Sequence, residues 1–459
     1  MTELDRRKSL LADLLSKVED APREWFNPSV PIVNGKPHHF GNTESMPCST
    51  WDECLASWRA ALEWRQDLGD ALAVMLAVCA STNQAGNQLF LDLIGSPGSA
   101  KTTLTKGLLV SGSCIHLENA TKLISGYKKP GDDGKDCSFL ARANGKTWIT
   151  CEFDVLASSP QYRDLMGKVR RIFDGETSAT YGNSDEDRIY AALRTPWIRA
   201  GTHKMVDHDQ SQLGDRFLRF YLGDPSDEDK RLITKRALRL ERSAVVETAN
   251  GSSGSVTDPL TRRAHAMTGG YVDWLRANVE SELIALNVPE AAEEYCVDLA
   301  ELSADLRARP TWEDARRSPT EAADGKELPT RLARQNIRLA SCLAVVLNKK
   351  TVDADIIRIV RKVALDTASG HSLRIVQWLC APDPRNGYRL YQEGDGMLEG
   401  MLRQWTGMTP ERLTKYLNFM RKIGVVEWRG RDGNSGAWYL TEKVYATYLR
   451  IMGSADAGI

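Results

Sequence analysis

One run of this sequence has the residue types and spacing to bind a triphosphate. An apolar stretch, 89–94, stops at Gly95, and Ser96, Pro97, Gly98, Ser99, Ala100, Lys101, Thr102 and Thr103 follow. Strand, glycine-containing loop and helix in that order make a phosphate-binding loop. Gly95 and Gly98 let the backbone curl so that successive N–H groups face phosphate oxygens. A helix beginning near Lys101 adds its positive N-terminal end. In such a loop Lys101 reaches the β- and γ-phosphates and the Thr102 hydroxyl ligates Mg²⁺. Ala100 departs from the usual pattern, which has its second glycine there; a tight loop accepts a single methyl group. The expected ligand is a nucleoside triphosphate.

Phosphoryl transfer also needs an acid at a strand end, for the metal and for the attacking water. Residues 147–150 read as a strand that runs into Glu152, Phe153 and Asp154. On an extended chain, period two sets Glu152 and Asp154 on one side. Glu152 is assigned to the metal and Asp154 to the water, and which of the two polarises water stays open. One αβ unit fits between Lys101 and this pair. A further strand pattern, 195–203, ends in Thr202 and His203. Either would sense the γ-phosphate if that strand lies beside the P-loop strand; a capped strand end is the alternative. Arg216 precedes the apolar alternation of 217–222, and a planar, forked, permanently charged guanidinium suits a transferring phosphoryl group. Its bland alternative is an ion pair with Asp215 or Asp224.

The elements that must hold these groups follow from periodicity. Leu10, Leu11, Leu14 and Leu15 mark a short amphipathic helix, and His38 and His39 read as an exposed pair without further metal ligands. Two helices are expected within 51–80, with Leu55, Trp58 and Leu62 on one stripe, and a short strand within 113–117. Residues 121–146 are polar, either an insertion that reaches a ligand or a solvated loop. Ser159 and Pro160 start a helix whose apolar side is Leu165, Met166, Val169, Ile172 and Phe173, ended by Gly175. A hairpin follows, turning at Gly182 and Asn183.

From Asp224 the chain is helical and charged, with a flexible link at 250–255 and an exposed crossing at 305–326. Helices are expected at 328–347 and 353–368, and Arg331 and Arg334 are placed to reach over a nucleotide from a lid. Residues 382–446 read as helix (398–405), second helix, and hairpin. The second helix starts at Thr409 and Pro410, turns Leu413, Leu417, Met420 and Ile423 inward, and sets Arg412, Lys415, Arg421 and Lys422 outward. That is a winged-helix pattern, with Arg429 and Arg431 on the wing. It would contact DNA or RNA through those cations, or else a protein.

A length of 459 residues suggests two to four domains, and a net charge of −1 means that any nucleic-acid surface must be local. Nine cysteines without a Cys-x-x-Cys pair read as reduced thiols, not as a disulfide frame or zinc site. The charged N-terminus lacks a signal-peptide core, and the longest apolar run, 71–80, is too short to span a bilayer. A soluble, cytoplasmic protein without membrane contact is expected.

Together these motifs resemble a known family. The run from Gly95 to Thr102, with alanine before the lysine, resembles the Walker A loop of minichromosome maintenance (MCM) helicases. Leu213, Gly214, Asp215, Arg216 and Phe217 are similar to the arginine-finger segment of MCM and related AAA+ ATPases. The run Val169, Arg170, Arg171, Ile172, Phe173, Asp174 and Gly175, with its following hairpin, resembles phage and mobile-element replication ATPases of that branch. Glu327, Leu328, Pro329, Thr330 and Arg331 resemble the lid, which makes Arg331 the better sensor. The resemblance implies an α/β AAA+ P-loop core at 67–224, a parallel sheet with flanking helices. It is preceded by a helix-and-loop segment at 1–66 and followed by a helical lid at 225–381 and a winged helix at 382–459. It implies a hexameric ring with ATP between subunits, Arg216 acting on the neighbour's site, DNA in the central channel, and helicase or translocase activity in replication. Glu152 with Asp154 departs from the family's adjacent Asp-Glu pair. Two rivals stay open: an AAA+ loader or remodeller of a protein partner, and a nucleotide-regulated DNA-binding protein with little turnover.

Overall fold

A computed structural model describes residues 43–118, 123–125, 136, 138–180, 188–205, 216–249, 258–308, 328–380, 396–430 and 436–453. Several expected features lie outside them: the helix around Leu10, the His38–His39 pair, the polar centre of 121–146, the hairpin turn at Gly182, the link at 250–255, most of 305–326, residues 213–215 and Arg431.

The strands are short and mostly apolar: β1 (Phe90–Ile94), β2 (Cys114–His116), β3 (Thr147–Thr150), β4 (Thr177–Ala179), β5 (Arg188–Tyr190), β6 (Trp197–Gly201) and β7 (Phe217–Tyr221). All except β4 and β5 form one parallel sheet in the order β2-β3-β6-β1-β7. The chain is thus an α/β protein with a five-stranded parallel sheet flanked by helices. Such a sheet is covered on both faces, which is why β1 and β6 are buried at every position. Strands β4 and β5 pair antiparallel, as expected of the hairpin.

On one face, Phe90, Trp148, Trp197 and Phe217 pack with Phe173; Phe90 meets Phe173 edge-on at 5.0 Å between ring centres. Phe173 comes from the sixth of the helices α1 (Trp51–Ala61), α2 (Gln66–Ala80), α3 (Lys101–Leu108), α4 (Phe139–Ala143), α5 (Phe153–Ala157) and α6 (Tyr162–Phe173). Helix α6 starts later than the sequence suggests. Ser159 does not cap it: its hydroxyl donates to the Gln161 side chain at 2.7 Å, and the helix begins after Gln161. Gly175, at φ +92°, ends that segment as expected.

Three charges break the apolar sheet. Asp92 on β1 is in register with Arg199 on β6 and Arg219 on β7. The Arg199 side chain is wholly buried, its Nη2 2.6 Å from Asp92 Oδ1, and its guanidinium stacks 3.5 Å from the Phe217 ring centre. A buried pair contributes little net stability, but removing one member strands the other charge. Asp92→Leu is therefore expected to lower the unfolding free energy by about 3–5 kcal/mol. Replacing both, Asp92→Leu with Arg199→Met, should recover much of that loss in urea denaturation.

The chain divides into two compact units, Met1–Leu286 with Ser341–Lys350, and Asn287–Ala340 with Thr351–Ile459. This differs from a core ending at residue 224. Helices α7 (Asp227–Ala249) and α8 (Pro259–Ile284) belong with the sheet. The reason is visible on α3: a Cβ on Gly107 would lie 3.4 Å from both His265 and Thr268, so α8 packs directly against α3. Trp58 Nε1 donates to Thr268 Oγ1 at 2.8 Å and ties α1 to the same place.

The second unit is built from α9 (Glu290–Arg307), α10 (Thr330–Val346, whose last turns count with the first unit), α11 (Ala354–Thr367), α12 (His371–Cys380), α13 (Glu399–Thr406), α14 (Pro410–Lys422), β8 (Val426–Gly430), β9 (Gly436–Leu440) and α15 (Glu442–Gly453). Pro410 opens α14, although the Thr409 side chain makes no capping bond. Strands β8 and β9 form an antiparallel hairpin, and Met397 bridges to Trp438 on its other edge. No described helix is long and apolar enough to cross a membrane.

Candidate nucleotide site

A cavity of about 460 Å³ opens where β1, β3 and β6 end. Its floor is the loop from Pro97 to Thr103, its far wall Cys151, Glu152, Asp154 and Val155, and its side Ala200, Gly201 and Thr202. Groups spread over a hundred residues of sequence therefore share one space because three parallel strands end together. Strand β6 lies between the P-loop strand and the strand that leads to the acids.

The loop's geometry explains both its glycine and its exception. Gly98 has φ +80° and Ala100 has φ +68°, ψ 6°, a left-handed conformation immediately before α3. Alanine there costs about 1–2 kcal/mol of local strain, which glycine avoids. Ala100→Gly is expected to raise stability by up to about 1 kcal/mol, the strain relief partly offset by chain entropy, and Ala100→Val to lower it. Urea denaturation of the two variants checks the sign.

Lys101 is buried, and its ammonium donates to Gly95 O (2.7 Å), Ser96 O (2.8 Å) and Ser99 Oγ (3.0 Å). Burial lowers its pKa, and the Asp154 charge opposes that shift. The Ser96 hydroxyl donates to the Asp224 carboxylate, which ties Asp224 to the loop end of the sheet, a strand length away from Arg216. Thr102 and Thr103 open α3, and both line the cavity. Behind them, His265 Nε2 donates to Thr103 O at 2.9 Å. Burial pushes the pKa of His265 down to about 4, so at neutral pH this is a neutral imidazole locking the helix in place.

The acids are arranged differently from a two-residue strand repeat. Strand β3 ends at Thr150, Glu152 immediately precedes a short helix without a side-chain capping bond, and Asp154 lies in the first turn of that helix. The extended-chain geometry fails because the chain turns helical at Phe153, whose ring is fully buried in the core below. Both acids still line the cavity, in unlike settings. Glu152 is exposed. Asp154 Oδ2 accepts the Thr202 N–H at 3.3 Å, while its Oδ1 is buried with no hydrogen-bond partner among the described residues. A buried carboxylate oxygen without a donor, beside a lysine and a threonine-bearing loop, suits a hard divalent cation such as Mg²⁺. Cys151 precedes the acids and faces α3, accepting a hydrogen bond from Thr105 Oγ1 at 3.5 Å.

Of the two residues at the tip of β6, Thr202 lines the cavity, and His203 instead stacks on Tyr221 at 5.6 Å. Arg216 is elsewhere. It precedes β7, at the end of the sheet opposite the loop, since Phe217 is in register with Phe90 and Tyr221 with Ile94. That strand length spans roughly 15 Å. Arg216 is buried, lies against the Phe173 ring, and pairs with Asp174 at 3.3 Å, a partner the sequence did not suggest. Arg331 opens α10 in the other compact unit and is not among the cavity's lining residues.

Sequence reasoning missed one side of the cavity: Leu62, Glu63, Arg65 and Leu68, from the α1–α2 connection, and Ile233 of α7. Nothing in the P-loop spacing points to them. The one local signal is the Arg65–Asp67 pair (3.0 Å), whose members also hold the Gly223 backbone, Arg65 at its carbonyl and Asp67 at its N–H. In the tail, Arg412, Lys415, Arg421, Lys422 and Arg429 are all exposed. Arg429 is paired with Glu427 and lies 4.6 Å from the Tyr439 ring centre. No protein-family model and no curated protein matches this chain.

Proposed function

We propose that this chain is a Mg²⁺-dependent ATPase of the AAA+ class, resembling the MCM-like branch, that works as a motor on DNA. The observation that carries the reading is the shared cavity. One parallel sheet brings a P-loop lysine, two acids and the Thr202 strand tip around a space large enough for a nucleotide. The triphosphate lies on the N–H groups of residues 98–103 at the start of α3. Lys101 exchanges one of its loop carbonyls for a phosphate oxygen. Thr102 and one of the two acids, Asp154 by burial or Glu152 by position, hold the metal. A Mg²⁺ held by Thr102 and that acid would supply positive charge to offset the charge that develops on the phosphates. The remaining acid orients water, and Thr202 fixes Asp154 through its N–H. The nucleoside rests on Leu62, Leu68 and Ile233, which are apolar.

DNA enters the proposal through the tail. Helix α13, helix α14 and the β8–β9 hairpin follow the winged-helix order, and five exposed cations lie on α14 and β8. A phosphate-release assay with and without DNA tests the reading. Mg²⁺-dependent ATP hydrolysis that DNA accelerates is expected. Tight DNA binding with negligible turnover would replace the motor by a nucleotide-regulated binding protein. Turnover stimulated by a protein and indifferent to DNA would point to a remodeller.

A further inference from the structure

Helix α7 carries a concentration of charge that the nucleotide site does not use. The whole chain has a net charge of −1, yet after an acidic first turn (Asp227, Glu228 and Asp229) residues 230–242 hold six cations, Lys230, Arg231, Lys235, Arg236, Arg239 and Arg242, against one acid, Glu241. Lys230 is engaged with Asp227 at 2.9 Å and Arg236 with Asp258 at 3.0 Å, and Arg239 is engaged as well. Arg231, Lys235 and Arg239 recur every fourth residue and are exposed, so they form one row along the helix. Neither Arg231 nor Lys235 has an ion-pair partner among the described residues. On the opposite face, Ile233 lines the nucleotide cavity. Leu232 and Leu238, beside the cations, are 41% and 60% exposed. No residue from Asp227 to Glu241 is buried, so this stretch is covered on one side only and then only partly.

We propose that the outer face of α7 is a track for the phosphate backbone of a single DNA strand. The inference rests on the nucleic-acid reading above and adds a second contact surface, on the unit that holds the nucleotide. Cations one helical turn apart stand about 6 Å from one another, a spacing that lets successive side chains take separate phosphates. Leu232 and Leu238 supply apolar surface for base faces, which a single strand exposes and a duplex keeps stacked. Because Ile233 and the cation row share one helix, nucleotide and strand bear on opposite sides of the same rigid element.

The test uses full-length protein with Arg231→Gln and Lys235→Gln together, folding being checked by circular dichroism. Binding of a fluorescein-labelled oligothymidylate is followed by anisotropy over a series of salt concentrations. Each phosphate contact on a single strand contributes about 0.7 to the slope of log K against log salt. The variant's slope should be shallower by about 1.4. An unchanged slope, with the unmodified chain binding the oligonucleotide, overturns the track and leaves the motor reading intact. An unmodified chain that neither binds the oligonucleotide nor responds to DNA in hydrolysis overturns both. An equal loss on blunt duplex overturns the single-strand assignment. A change in sedimentation of the protein alone, with the slope intact, assigns the face to a second copy and overturns the proposal.

Discussion

Lys101→Ala is expected to abolish nucleotide turnover while the chain remains folded. Among the described residues the ammonium has no counter-charge in direct contact; its three donors go to two loop carbonyls and the Ser99 hydroxyl. Those bonds shape the loop, and α3 is held from behind by His265 and by the Gly107 contact with α8. Loss of the lysine therefore removes charge from the phosphate site without removing the helix. Deleting one group that stabilises transition-state charge typically costs about 10²- to 10³-fold in rate. Steady-state phosphate release should fall at least that far, with a far-ultraviolet circular dichroism spectrum like that of the unmodified chain. Normal hydrolysis in a folded variant would sink the ATPase assignment altogether.

The parts of the site legible in the sequence were those that local spacing determines. Gly95, Gly98 and Lys101 stand at fixed offsets from an apolar run, and β1, the loop and α3 appear where those offsets put them. The strand running to Thr202 was equally plain, but only packing shows that Thr202 lines the cavity while His203 stacks on Tyr221. Asp154 was harder. Its side of the cavity depends on the chain turning helical at Phe153, and that turn is set by burial of the phenyl ring in a core assembled from distant residues. Ile233 and the 62–68 connection were invisible for the same reason: only tertiary packing brings them to the phosphate loop. Ala100 was recognised as a departure, but its left-handed backbone needed coordinates. The charge row on α7 is a matter of local composition, six cations within 230–242 of a chain whose total charge is near zero.

Mixing two inactive variants should restore hydrolysis. Arg216 lies at the end of β7 away from its own cavity, roughly 15 Å along the strand from the P-loop end. If it serves a nucleotide at all, it serves one bound by a neighbouring copy. An Arg216→Ala subunit keeps an intact P-loop and gives nothing to its neighbour. A Lys101→Ala subunit has a disabled P-loop and still supplies its arginine. If the chain assembles into rings, those built from both variants would contain some sites in which a good loop faces a good arginine. Removing such an arginine costs about 10³-fold or more in related phosphoryl-transfer systems, so even a minority of composite sites stands well above background. The competing role is structural: Arg216 pairs with Asp174 and packs on Phe173, and its loss would then weaken the end of the sheet. The two roles separate cleanly. A structural Arg216 predicts a lowered melting temperature for Arg216→Ala and no rescue in the mixture. A trans-acting Arg216 predicts rescue that rises and then falls with the mixing ratio, highest near equal amounts. Exchange of subunits between labelled variants is measured alongside, and absence of rescue in rings that do exchange rules out the trans role.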